Sequence, residues 1–363
     1  MFEIFFLVAV ALYFIQTVVF SVGAQKKFKK INDDSLPSAT VIVAARNEES
    51  NILDCMRSLD ALEYPDGKLE IIIANDHSTD RTAEIIEEFI KDKPKFKSIV
   101  PEKQIGHVKG KANAIANAIK ISNGEIIMTT DADCVVSPTW AKTLASYYDE
   151  DVALVCGYTD QEEETSFKAM QSIDFIYLLG VAGGTMNLGK PLSCIGNNMS
   201  YRREAYEEIG GYEKLRFSVT EDFQVLMAMH NLKKYKIIYP IDEGGRVTSK
   251  ACPDLKTLYN QKHRWGIGGL DSDFAGYFVM TTAFLTNLGV LLTPFLFSKG
   301  ALYISAFKIL LDYFFLFPIY QKLNLKLSLK NFIVFEIYFI LYVLALPFAL
   351  VFDKKVKWKG REF

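Results

Sequence analysis

The distribution of apolar residues constrains this chain more than any other feature. Residues 1–23 read MFEIFFLVAVALYFIQTVVFSVG, and about 276–297, 301–320 and 332–352 are equally greasy, whereas 24–270 has the mixed composition of a soluble α/β region. Each apolar stretch is long enough to cross a bilayer as a helix. The 363 residues therefore divide into an N-terminal transmembrane helix (1–23), a soluble domain (24–253), an interfacial helix (254–274), about three membrane segments (275–352) and a basic tail (353–363). A cleaved signal peptide is disfavoured, because Glu3 and no basic residue precedes the apolar run. Lys26, Lys27, Lys29 and Lys30 follow it, so the positive-inside rule puts the N-terminus outside and the soluble domain in the cytoplasm, on a cell or inner membrane. Four crossings would leave the basic stretch Lys354–Arg361 outside, against the same rule, which leaves room for one re-entrant or interfacial stretch. Lys308 and Asp312, four residues apart, either pair inside a helix bundle or snorkel to an interface.

A net charge of -2 gives no reason to expect a nucleic-acid partner. Five widely spaced cysteines (Cys55, Cys134, Cys156, Cys194, Cys252) without a C-x-x-C argue against a disulfide framework or zinc site and for reduced, mostly buried thiols.

Between 38 and 157, β-branched runs alternate with helical patterns. Thr40–Ala45, Leu69–Ala74 and Glu125–Thr130 read as strands whose near-continuous apolarity suits a parallel sheet covered on both faces. Ile52, Cys55, Met56 and Leu59 fall on one helical stripe, and 80–91 and 110–121 suit helices as well. The alternation predicts an open parallel α/β sheet. Each strand runs into a polar cluster: Arg46-Asn47-Glu48-Glu49, Asn75-Asp76-His77-Ser78-Thr79-Asp80, and Asp131-Ala132-Asp133. Carboxyl ends of parallel strands share an edge where such sheets bind ligands. Asp80 serves equally well as a cap for the following helix.

Asp131 and Asp133, two apart at a strand end, offer hard oxygens for Mg2+ or Mn2+, ions that complete their shells with water and substrate phosphates. Glu221 and Asp222 open a helical run, where a carboxylate is either a first-turn partner of the helix dipole or, for Asp222, a general base for an acceptor hydroxyl. Gln261, Arg264 and Trp265 share one helix side; Arg suits a diphosphate, and Trp suits a sugar face or a membrane interface. Gly180–Thr185 reads either as a mobile acceptor-side segment or as a glycine-rich helix end.

Seven pieces now stand in order: Ala45-Arg46-Asn47-Glu48-Glu49, Asn75–Asp80, Lys109-Gly110-Lys111-Ala112-Asn113-Ala114, Asp131-Ala132-Asp133, Gly196–Arg203, Thr220-Glu221-Asp222 and Gln261-Lys262-His263-Arg264-Trp265. In these, over about 45–265, the chain resembles the membrane-bound family 2 glycosyltransferases, the group of cellulose, hyaluronan and chitin-type synthases and ceramide glucosyltransferases. The resemblance implies a GT-A fold, a Rossmann-like α/β nucleotide-diphospho-sugar transferase domain. It further implies a nucleotide-sugar donor, Mg2+ or Mn2+, and an inverting single displacement by a metal-dependent hexosyltransferase. Carried over by position, Glu48, Asp76 and Lys111 would belong to the nucleotide-sugar pocket, and Asp131 and Asp133 would meet the diphosphate and metal. Asp222 would be the base, and Gln261, Arg264 and Trp265 would close over the diphosphate and acceptor end. The family often has two adjacent acids after its second strand; Asn75 takes the first place here, which leaves the nucleotide open.

The expected function is transfer from a cytosolic nucleotide sugar to a lipid-linked or glycan acceptor beside membrane lipids. The alternative is a processive polysaccharide synthase that also extrudes its polymer. A transporter has only Lys308, Asp312 and Glu336 as candidate intramembrane charges, and a triphosphate-using transferase would lack a Walker A loop. Sugar choice falls to pocket walls, 156–200 among them, that no motif names, and oligomeric state is left open.

Overall fold

The computed structural model describes residues 1–101, 104–105, 108–216, 218, 220–352, 357–358 and 361–362. The remainder of the expected basic tail (353–356, 359–360 and 363) lies outside the described residues. The helices are α1 (Phe2–Ala24), α2 (Ile52–Asp60), α3 (Thr82–Ile90), α4 (Gly110–Ile121), α5 (Trp140–Ala145), α6 (Ser166–Asn187), α7 (Arg203–Glu208), α8 (Gly211–Lys214), α9 (Glu221–Asn231), α10 (Leu255–Gly269), α11 (Phe274–Leu292), α12 (Lys299–Lys322) and α13 (Leu329–Phe352). The main strands are β1 (Ala39–Ala45), β2 (Leu69–Asn75), β3 (Phe96–Ile99), β4 (Ile126–Asp131), β5 (Cys134–Val136), β6 (Val152–Cys156), β7 (Thr159–Gln161), β8 (Met199–Arg202), β9 (Lys236–Ile238) and β10 (Val247–Ser249). They fall into two compact units: residues 26–160 with 194–250, and residues 1–25 with 161–193 and 251–363.

The first of these units is built on a seven-stranded sheet of order β3-β2-β1-β4-β8-β6-β9. β3, β2, β1 and β4 are parallel, as the apolar runs predict. β8 then enters antiparallel to both β4 and β6, so the sheet is mixed rather than wholly parallel. The chain leaves the sheet after β6, forms α6, and comes back through β8 in the opposite sense. β1 is buried along almost its whole length, and α2 presents Ile52, Cys55, Met56 and Leu59 to the same core, on the stripe read from sequence. Val41, Val43, Ile71, Ile73, Met128 and Trp140 share that core. Each fully buried aliphatic side chain contributes roughly 1.5–3 kcal/mol. Register pairs Ala45 with Asn75 and Ala44 with Asp131, so the carboxyl ends of β1, β2 and β4 lie along one edge.

The second unit is helical. α1, α11, α12 and α13 are four helices long and apolar enough to cross a membrane. α11 ends at Leu292, short of the expected 297; Pro294 follows two residues on and has no N–H with which to continue the helical ladder. α6 belongs to this unit although its sequence lies inside the stretch 24–253 read as one soluble domain. The physical reason is that α6 is buried around most of its circumference, with no polar face for water. Gly180–Thr185 is helical and lies in the last two turns of α6, where glycines let helices approach closely. A Cβ on Gly184 would stand 2.4 Å from the Phe20 carbonyl oxygen of α1, and one on Gly180 would stand 2.7 Å from Ile319 of α12.

Lys308 and Asp312 pair inside the bundle rather than snorkelling. The Lys308 ammonium lies 2.8 Å from Asp312 and 2.8 Å from Glu336 of α13. The Tyr13 hydroxyl donates to Asp312 Oδ1 at 2.6 Å and also meets the Tyr177 hydroxyl at 2.6 Å. Helices α1, α6, α12 and α13 thus share one buried polar cluster. Removing one partner of a buried ion pair strands the other and typically costs about 3–5 kcal/mol. Lys308→Met should therefore lower the unfolding midpoint in detergent sharply, and Lys308→Met with Asp312→Asn and Glu336→Gln should recover most of the loss. Thermal unfolding of the two variants checks this.

Candidate active site

Two of the three strand-end loops are tied together by their own polar residues. Arg46 Nη1 donates to the Asp76 carbonyl oxygen at 2.6 Å, and its guanidinium stands 4.0 Å from the Asp76 carboxylate. Asn47 and His77 hold left-handed backbone, with φ of 52° and 54°. Asn47 Oδ1 accepts from the Thr79 N–H (2.8 Å), and Asp80 accepts from the N–H groups of Glu49 (3.1 Å) and Thr82 (3.0 Å). Asp80 thus knits the loop to the first turn of α3, the capping alternative. Asn75 Oδ1 accepts from the Ser78 N–H at 3.0 Å, a turn-forming role. Glu48 and Asp76 are both buried, and Glu48 Oε2 accepts from Asn51 Nδ2 at 2.7 Å.

The centre of the unit is a lysine among carboxylates. Lys111, in the first turn of α4, places its ammonium 2.6 Å from Asp131 Oδ1 and 3.6 Å from Glu221 Oε1. Burial alone would push the Lys111 ammonium down, but Asp131 and Glu221, then Asp222, outweigh it and hold its pKa above the usual lysine value. Glu221 and Asp222 form the first turn of α9, where the helix dipole favours them. Asp222 Oδ1 accepts from the Phe223 N–H at 2.9 Å. The other oxygen lies over the turn at Gly196: a Cβ there would stand 3.1 Å from Asp222 Oδ2 and 3.4 Å from the Lys111 ammonium. Glycine at 196 is what lets Asp222 come so close.

Asp133 stands just beyond the same strand end, between β4 and β5. Burial pushes the thiol of Cys55 up, and Asp133, Asp131 and Glu48 add to it in that order. Burial likewise pushes up Cys134, with Asp133 and Asp131 next. The Cys134 thiol lies 3.6 Å from Asp133 Oδ1, and the Cys55 thiol lies 3.5 Å from the Asp131 carbonyl oxygen. Among the described residues, no group of three His, Cys, Asp or Glu side chains forms a closed cation cage. Two hard carboxylates at an open strand end still fit Mg2+ or Mn2+, which take one or two protein carboxylates and fill the remainder with phosphate and water.

Of the residues singled out from sequence, Lys111, Asp131 and Asp222 gather here, Asp133 follows two residues after Asp131, and Glu48 and Asp76 lie at the neighbouring strand ends. Gln261, Arg264 and Trp265 belong to the helical unit, half-buried on α10. There Trp265 stacks on Phe175 with ring centroids 5.4 Å apart and 13° between planes. The intervening Lys262 is buried against Asp174 of α6. Sequence reading passed over Asp174, although an acid inside so apolar a helix is itself a signal. It also passed over Gly196 as the residue that admits Asp222.

The family model for Glycosyl transferase family group 2 matches residues 126–352, and that for Glycosyl transferase family 2 matches 40–210. The chain belongs to the family 2 glycosyltransferases. It is 29% identical over 255 residues to a probable glycosyltransferase, YdaM, of Bacillus subtilis, covering 65% of this chain and 56% of that one. It is 28% identical over 251 residues to the beta-monoglucosyldiacylglycerol synthase of Trichormus variabilis (67% and 51% covered). It is 29% identical over 262 residues to the poly-beta-1,6-N-acetyl-D-glucosamine synthase of Staphylococcus aureus (71% and 60%). The matches thus span little more than half the length of these relatives. Among solved structures, a Pyrobaculum calidifontis mannosyltransferase in complex with GDP-Man and Mn2+ superposes with a TM-score of 0.63 at 19% identity, covering 98% of this chain and 100% of that one. The fold is GT-A.

The thiol environment yields a direct check. With Cys55, Cys134 and Cys156 buried and their thiols pushed up, all three stay protonated at pH 8 and closed to reagent. N-ethylmaleimide at pH 8 followed by peptide mass spectrometry should leave these three unlabelled in the folded chain and label all five cysteines in urea. Labelling of Cys55 or Cys134 without denaturant would contradict the site as described.

Proposed function

We propose that this family 2 glycosyltransferase moves a sugar, with inversion, from a nucleotide-diphosphate sugar to a lipid-linked or glycan acceptor at the cytoplasmic face of a membrane. The observation that carries the reading is the gathering of Asp131, Glu221 and Asp222 around Lys111. Carboxylates so close repel one another, and one ammonium offsets that repulsion before any ligand arrives. The four membrane-compatible helices support an acceptor delivered in or beside lipid. The glycolipid and polysaccharide synthases among the relatives support the same acceptor classes.

In the proposed reaction, Asp222 accepts the proton of the acceptor hydroxyl as that oxygen bonds to the anomeric carbon. The bond from that carbon to the diphosphate breaks, and the nucleoside diphosphate leaves with the electron pair. Glu48 and Asp76 would line the nucleotide pocket. Lys111 would exchange its carboxylate partner for a phosphate oxygen. Asp131 and Asp133 would hold Mg2+ or Mn2+, which neutralises charge on the departing diphosphate. Gln261, Arg264 and Trp265 would close over the diphosphate and the acceptor end, Arg264 as a bidentate partner.

The test is transfer from a panel of nucleotide sugars by the full chain in lipid, with products read by mass spectrometry. Asp222→Asn should lower turnover by about 10²- to 10⁴-fold with donor binding retained. Asp131→Asn and Asp133→Asn should weaken the Mn2+-dependent binding of nucleoside diphosphate. A single added sugar identifies discrete transfer and a ladder identifies a synthase. Full activity in all three variants would overturn the assignment.

A further inference from the structure

α10 meets the rest of its unit through a narrow stripe. Leu258 and Lys262 are buried four residues apart, and Trp265 follows half-buried on the same side. A leucine or methionine would fill the middle of such a stripe without electrostatic cost. A buried ammonium costs several kcal/mol unless an opposite charge meets it. The partner is Asp174 on α6, with side-chain exposure of 0% against 6% for Lys262. Among the described residues Asp174 Oδ1 is buried without a hydrogen-bond partner, so the carboxylate depends on the ammonium at its other oxygen.

The next residues repeat the contact. Phe175 stacks on Trp265, and the Lys262 ammonium lies 4.3 Å from the centre of the same indole. Two adjacent residues of α6 therefore grip two residues of α10 three positions apart. Two points of attachment fix a helix in rotation as well as in register. α6 is itself immobilised, by Tyr177 in the Asp312 cluster and by Gly184 against α1.

We propose that Asp174 and Lys262 are positioning residues that set the rotation of α10, and so the direction in which Gln261, Arg264 and Trp265 face. This rests on the transferase reading given above. Polar groups buried at a stability cost are well suited to fixing register, and misplacing such a triplet by an ångström is enough to slow the chemistry.

The experiment uses the full chain in lipid nanodiscs with Asp174→Asn, Lys262→Met, both together, and Lys262→Arg. Hydrogen exchange over 255–269 needs no activity: each of the first two variants should speed it by about tenfold or more, leave 39–136 unchanged, and Lys262→Arg should keep wild-type protection. The paired variant strands no charge and should regain unfolding temperature. It should nevertheless keep fast exchange in α10 and show kcat lowered by about 10- to 100-fold, with a smaller change in donor KM. A paired variant that turns over at the wild-type rate, or single variants with unaltered exchange, would overturn the clamp. A wild-type chain that transfers no sugar from any donor would instead overturn the transferase reading, and with it the catalytic purpose of the clamp.

Discussion

A charge withdrawn from water has to meet an opposite one, and three lysines of this chain meet that demand. Lys111 joins Asp131 and Glu221, Lys262 joins Asp174, and Lys308 joins Asp312 and Glu336. Each lysine ties separate elements together: α4 to β4 and α9, α10 to α6, and α12 to α13. Apolar burial holds these elements in place, but it penalises a small rotation or slip less than a stranded charge does. An ion pair in a medium of low polarity is not, because a slip of a few ångströms leaves a bare charge. The three lysines and their partners therefore define how the apolar surfaces meet.

The elements legible in the sequence are those whose signal is local. The runs at Thr40–Ala45 and Leu69–Ala74 became β1 and β2 because continuous β-branched residues suit a strand covered on both faces. The stripe Ile52, Cys55, Met56, Leu59 became the buried face of α2 by its spacing alone. The membrane-compatible helices followed from length and hydropathy. The common edge of Asn75, Asp131 and the end of β1 followed from parallel pairing.

Signals that depend on a distant partner were not legible. β8 contains nothing in Met199–Arg202 to say that it would run antiparallel between β4 and β6. The glycines of α6 looked like flexibility, whereas Gly184 and Gly23 are points of contact between two helices. Asp174 and Lys262 are 88 residues apart, and neither reveals the other. The acidic loops were ambiguous for a related reason. Asp80 and Asp131 look alike in sequence, yet Asp80 accepts backbone N–H groups of its own loop and helix, whereas Asp131 meets a side-chain ammonium. Only the partner's nature separates a carboxylate that builds a loop from one that can serve chemistry.

Exposure separates the three pairs again. Lys111, Asp131 and Glu221 keep 18%, 34% and 17% of their side-chain surface in contact with solvent, whereas Lys308, Asp312 and Glu336 keep 0%, 0% and 3%. A buried pair is nearly irreversible, because each partner would have to find a new counter-charge without water to help. A half-open pair is exchangeable: the ammonium can leave a carboxylate for a phosphate oxygen while both remain partly hydrated. The same interaction thus serves as a fixed strut in the helices and as a replaceable one at the sheet edge. That difference is what the transferase reading requires of Lys111, since a donor diphosphate can enter only where the charge already present is free to change partners.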